Sequence, residues 1–238
     1  MYQKLCLASV LVSFTLLLAA DPPWMSKRIP EWTEKDAYLV LSESPWVTKT
    51  PEFLTALLTA SERREGGNMA AQDGAHKGIG MANAGSLIST GGAIARPGQG
   101  AEAPHLPRLT IRWESALPVR AAAIRANDTS APEIDGEDYT IAVYAVSLKL
   151  AAMDLKGLNE ELKKVATLTV EGRKEFRPTR VETVQLGDGM INVIYFFPRS
   201  AHITVEDPRV TFSGQVGRIV FAQYFYPARM QFMGRLEL

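Results

Sequence analysis

A stretch that cannot fold by burial divides this chain in two. Ten of its 18 glycines fall between Gly66 and Gly100, and alanine, serine, asparagine and proline supply most of the rest. Such a run cannot bury enough side chain to offset its ordering entropy. Residues 65–107 therefore read as a flexible linker. The uncharged piece 78–95 has glycines at the spacing of an associating membrane helix. Asn83, Ser86, Ser89, Thr90 and the Gly91-Gly92 pair favour the linker instead. Gly78-Ile79-Gly80 is no dinucleotide loop, because no strand precedes it and the further glycine spacing fails.

The chain begins with Met1-Tyr2-Gln3-Lys4, a short segment with one positive charge. An apolar stretch from Leu5 to Leu18 follows, then Ala19-Ala20 and the helix-hostile Asp21-Pro22-Pro23. This is the order of a cleavable secretory signal, with the cut after Ala20. The competing reading, an uncleaved anchor, needs roughly 20 apolar residues, and this stretch is shorter. The single cysteine, Cys6, lies inside the signal and opens its apolar core, so no lipid anchor is expected. The mature chain then has no disulfide, no thiolate metal site and no cysteine nucleophile. Acidic and basic residues balance at 26 each, so no basic excess points to nucleic acid. No second apolar run has the hydrophobicity of a stable membrane span. The expected location is outside the cytoplasm: periplasm, outer cell envelope or extracellular space.

Residues 21–64 read as a helical hairpin. Thr33 caps the first helix, Asp36 reaches back to it, and Glu34 and Asp36 suit the positive end of the macrodipole. Ala37, Val40, Leu41 and Ser44 share a face, and Pro45 stops the helix. Thr50, Pro51 and Glu52 look like a second start, followed by Phe53, Leu54, Leu57, Leu58 and Ser61 at helical spacing. Residues 108–238 read as a folded α+β domain with a largely antiparallel sheet and one or two helices. Strands are expected at 109–114, 139–146, 181–186, 191–197, 203–205, 210–212, 219–225 and 231–236. Helices are expected at 117–125 and 155–165. Strand 139–146 is apolar on both faces, with Ile141, Val143 and Ala145 on one and Ala142, Tyr144 and Val146 on the other. It is expected to be central and covered twice.

Several stretches resemble an uncharacterised family of exported bacterial proteins, of the kind abundant in acidobacteria. They are Trp32-Thr33-Glu34-Lys35-Asp36-Ala37 with Ser44-Pro45-Trp46, and Arg112-Trp113-Glu114-Ser115-Ala116-Leu117-Pro118-Val119-Arg120. Phe196-Phe197-Pro198-Arg199 with Ile203-Thr204-Val205-Glu206-Asp207, and the run from Met230 to Leu238, complete the set. The resemblance implies export and a two-part architecture, and no activity.

The residues carry little catalytic chemistry. His76, His105 and His202 show no i, i+3 or i+4 pairing, so no compact zinc site forms, and no metal or cofactor is expected. No Gly-x-Ser-x-Gly elbow or phosphate loop is present. Ser147-Leu148-Lys149 reads as a strand end rather than a dyad. The acidic run around Gly136 reads as a solvated turn rather than a calcium loop. The aromatic runs 195–197 and 221–226 read as core. The most unusual stretch is Arg112 to Arg120, which holds Trp113, Glu114 and Arg120, then Arg125, where a strand meets a helix. Trp113, Glu114 and Arg120, with the distant Arg199, are the candidate binding residues. The plainer reading makes Trp113 core and pairs Glu114 with Arg120.

Two functions compete. One is a non-enzymatic binding or scaffolding domain that engages an envelope protein or polymer. The other is a secreted hydrolase with its site at the Trp113–Arg120 turn. Mass spectrometry of the secreted protein is expected to find Asp21 at the new N-terminus. Retention of Met1 or Leu5 contradicts the signal reading.

Overall fold

The computed structural model describes residues 22–57, 109–151, 157–173 and 175–238. The signal and the glycine-rich stretch 65–107 lie outside the described residues. The chain is α+β, and every strand pairing among the described residues is antiparallel.

The first helix, α1, spans Glu34–Glu43. Its start is the capping box expected from sequence. The Asp36 N–H donates to Thr33 Oγ1 at 3.2 Å, and the Thr33 N–H donates to Asp36 Oδ2 at 2.9 Å. Lys27 Nζ adds an ion pair to the same carboxylate at 2.7 Å. The helix ends at Glu43, and Ser44, before Pro45, is extended.

The chain then enters strands β1 (Val47–Thr48) and β2 (Phe53–Ala56). This corrects the expected hairpin, because 53–56 are strand and not helix. The apolar spacing from Phe53 suits a helix, but a short isolated helix is marginal on its own. Pairing with a strand edge satisfies the backbone and overrides that local preference.

The remaining strands are β3 (Thr110–Trp113), β4 (Asp138–Ser147), β5 (Thr167–Val170), β6 (Glu175–Phe176), β7 (Arg180–Gln185) and β8 (Met190–Pro198). β9 (Val210–Val216), β10 (Ile219–Phe225), β11 (Gln231–Phe232) and β12 (Arg235–Leu236) follow. α2 spans Leu117–Arg125, and α3 spans Leu158–Val165. The buried stripe of α3 carries Leu158 and Leu162, whereas Val165 is 37% exposed. Sequence alternation left the short β5 and β6 unassigned. The expected strand at 203–205 is absent, because Asp207 folds this segment into a turn by accepting the Thr204 N–H at 2.7 Å.

Two five-stranded sheets result, in the orders β1-β3-β4-β8-β7 and β2-β10-β9-β5-β6. Residues 22–57 thus supply an edge strand to each sheet and belong to the same body as 109–238. Their alternate residues meet in one core. Ring pairs join the sheets: Trp113 with Phe225 at 5.0 Å, Tyr195 with Phe212 at 5.2 Å, and Phe197 with Phe212 at 5.9 Å. Phe196 points the other way, beside Ala142 and Ile194, and the Arg180 guanidinium covers its ring at 4.0 Å.

β4 is central and buried on both faces, as its composition implies. Its alternation breaks at a bulge between Val143 and Val146. Ala145 takes a positive φ of 57° and donates its N–H to Asn192 Oδ1 at 3.0 Å. The extra residue returns Val146 to the core with Ile141 and Val143, and Ala145 is exposed. Strict period two had placed these two residues the other way round.

Two measurements test this packing. A methyl carbon added at Gly214 would sit 2.7 Å from Phe221 Cζ, in the core. Gly214→Ala is therefore expected to cost about 1–3 kcal/mol and to lower the thermal midpoint. An unchanged melt contradicts that packing. Hydrogen bonds from Lys27 and Thr33 hold the Asp36 carboxyl at about 2, below its ordinary 3.8. The folded form therefore binds fewer protons, so this stabilisation is present above the ordinary value and lost as pH falls from 3.8 towards about 2. Asp36→Asn is expected to remove that part of the acid dependence in pH-resolved urea unfolding. Identical acid profiles for the two proteins contradict it.

Candidate functional site

The turn between β3 and α2 sends its side chains in two directions. Successive strand residues point to opposite faces, so Trp113 faces the core and Arg112 and Glu114 face away from it. Trp113 is fully buried, edge-on to Tyr139 at 5.8 Å and to Phe225. Its indole nitrogen has no hydrogen-bond partner among the described residues. It is a core residue, as the plainer reading held.

Glu114 is also buried, and its partner is Arg112, not Arg120. Glu114 Oε1 accepts from Arg112 Nε and from the Tyr144 hydroxyl. Arg112 Nη1 donates to Asp128 Oδ2 at 2.9 Å, and Arg112 Nη2 donates to the Tyr144 oxygen. One guanidinium thus serves two carboxylates. Burial opposes the charge on Arg112, yet Glu114 and its other neighbours hold it firmly protonated. The deficit falls on Glu114, whose carboxyl is pushed up because burial outweighs its share of Arg112. Burial also opposes ionisation of Asp128, but Ser130 and Arg112 hold it below its ordinary value. Burial, then Glu114, raises the Tyr144 hydroxyl. Tyr144 stands two residues from Ala142, the register partner of Arg112, so strand alternation brings its side chain to the face of this cluster.

Arg120 and Arg199 lie elsewhere, and they do come together. Both line a polar pocket of about 230 Å3 with Ser115, Tyr139, Glu237 and Leu238. Arg199 stacks over the Tyr139 ring at 4.7 Å. It donates Nε to Gly136 O at 3.1 Å and Nη2 to Leu238 O at 3.0 Å. The far wall is held in turn by Trp46, whose indole N–H donates to Glu237 O at 2.7 Å. Of the four residues singled out from sequence, Arg120 and Arg199 share this pocket, and Trp113 and Glu114 do not line it.

Sequence reasoning missed Tyr144 and Asp128 around Glu114, and missed that Arg112 is its partner. The Arg112–Glu114 spacing of two on a strand was the available signal, since period two puts both on one face. Ser115 and Tyr139 also escaped notice, and nothing in their spacing marks them. Asp135 Oδ1 accepts the Glu137 N–H at 3.2 Å, so the acidic run around Gly136 is a turn that bonds to itself. Among the described residues, no group of three His, Cys, Asp or Glu side chains is placed to hold a metal ion. No described helix is long and apolar enough to cross a membrane.

The fold and the site together define an antiparallel α+β domain with a polar pocket, lined by two arginines, beside its strand-to-helix turn. No protein-family model, curated protein or solved structure matches the chain.

Removing one partner of a buried ion pair leaves the other charge uncompensated. Arg112→Met is therefore expected to destabilise by about 3–5 kcal/mol in urea unfolding. The double variant Arg112→Met/Glu114→Leu is expected to recover much of that loss. Strictly additive effects of the two substitutions contradict the coupled cluster.

Proposed function

We propose that this chain is an exported, non-enzymatic binding domain that engages a protein or polymer of the cell envelope through the Arg120–Arg199 pocket. The observation that carries this reading is the separation of charges at the turn. Arg120 and Arg199 line an open polar pocket, whereas Glu114 is held apart by Arg112 and Tyr144. The hydrolase reading needs Glu114 beside Arg120 as a proton-transfer group, within hydrogen-bond reach of substrate. That carboxylate already accepts two internal hydrogen bonds and does not line the pocket. The signal-like N-terminus and the resemblance to exported bacterial proteins support placement in the envelope.

Affinity capture from envelope extract tests the proposal. The wild-type chain is expected to retain a defined partner that Arg120→Glu releases, because reversing the charge of a pocket residue repels what its native charge attracts. Capture that ignores the charge reversal, or a hydrolytic activity abolished by Glu114→Gln, overturns it.

A further inference from the structure

We infer that the Arg120–Arg199 pocket is a receptor for a small oxyanion, a carboxylate or phosphate group carried by the ligand. This rests on the binding reading above and gives it a chemistry. The pocket offers protons. Ser115 is buried, and its Oγ accepts the Thr140 N–H at 3.0 Å. Its own hydroxyl proton meets no acceptor among the described residues. Tyr139 repeats the arrangement: its oxygen accepts the Ile203 N–H at 3.3 Å, and its proton has no acceptor among the described residues. A hydroxyl whose lone pair is engaged by a backbone donor presents itself to a ligand as a donor.

The guanidinium groups extend the set. Arg199 uses Nε and Nη2 on backbone oxygens and rests on the Tyr139 ring, which fixes its orientation and leaves Nη1 over. Arg120 is exposed, and its side chain makes no hydrogen bond or ion pair among the described residues. Arginine donors in a fixed fork match the oxygens of carboxylate and phosphate. The opposing groups are few. Glu237 is the one side-chain carboxylate in the lining, and it forms no ion pair with either arginine among the described residues. The Arg120 guanidinium has no acidic partner among the described residues, so its charge is available to a ligand. The Leu238 backbone oxygen already accepts one Arg199 N–H, so a ligand meets the other donors. A volume of about 230 Å3 admits an anion of several heavy atoms and not a whole polymer segment. The ligand enters by an acidic end or side group.

Isothermal titration of the full chain with inorganic phosphate and, separately, succinate tests this at low ionic strength, where screening is weakest. Saturable binding of at least one anion is expected, and the tighter of the two identifies the group. Arg120→Gln is expected to weaken binding about ten-fold or more, the scale of one charge-assisted hydrogen bond. Arg125→Gln, on the same helix but outside the pocket lining, is expected to leave it unchanged. No saturable binding of either anion at about 10 mM, or equal binding by Arg120→Gln, overturns the inference. If neither anion binds yet Arg120→Glu still releases the captured partner, the binding reading stands and the oxyanion chemistry falls. If an anion binds as expected but partner capture ignores the charge reversal, the receptor stands and the envelope partner falls.

Discussion

Three tryptophans tie the two ends of the chain together, and the rest of the structure is arranged around that junction. Trp24, Trp32 and Trp46 are fully buried. Trp24 packs on Trp32 at 6.1 Å and on Trp46 at 5.9 Å, and Phe232 closes the cluster against Trp32 at 5.5 Å. Such rings bury large apolar areas, and edge-to-face pairs add stability beyond that area. The Trp46 indole N–H then donates to Glu237 O across 191 residues of sequence. With β1 and β2 seated at the edges of the two sheets, this cluster makes residues 22–57 part of the body. It also fixes the wall of the pocket that contains Glu237 and Leu238.

Strand alternation explains how one short turn produces two different environments. Trp113 goes inward to Phe225, so its neighbours Arg112 and Glu114 must go outward. There the low dielectric makes a shared guanidinium costly to remove, and the sharing leaves the Glu114 carboxyl shifted up and that of Asp128 shifted down. Immediately afterwards the backbone leaves the strand. Glu114 N–H still donates to Thr140 O at 2.7 Å, but Thr140 N–H is received by the Ser115 side chain. A hydroxyl thus replaces a ladder carbonyl, in a residue that lines the pocket. The same event that ends β3 builds the polar edge of the candidate site.

Much of this was legible in the sequence where a local rule and the global fold agree. The Thr33–Asp36 box, the Pro45 stop, the strand-to-helix switch at Leu117 and the doubly buried β4 follow from residues close together in the chain. The second N-terminal helix failed because strand β10 offers 53–56 a backbone partner far away in sequence. Val146 failed because a bulge changes the period, and Ala145 carries none of the glycine or asparagine that would announce a positive φ. Of the four candidate site residues, Arg120 and Arg199 line one pocket. Glu114 was drawn to them by sequence proximity, although the nearer Arg112 shares its strand face. Ser115 and Tyr139 became site residues through hydrogen bonds to Thr140 and Ile203, which only the assembled sheet provides.

Residues 22–57 and 109–238 fold as one body. Engineering a protease site between residues 65 and 107, cutting there and following the two fragments puts this to the test. One cooperative body predicts that the fragments coelute and unfold in a single transition. Fragments that separate on a sizing column under native conditions, or that melt in two independent transitions, contradict it.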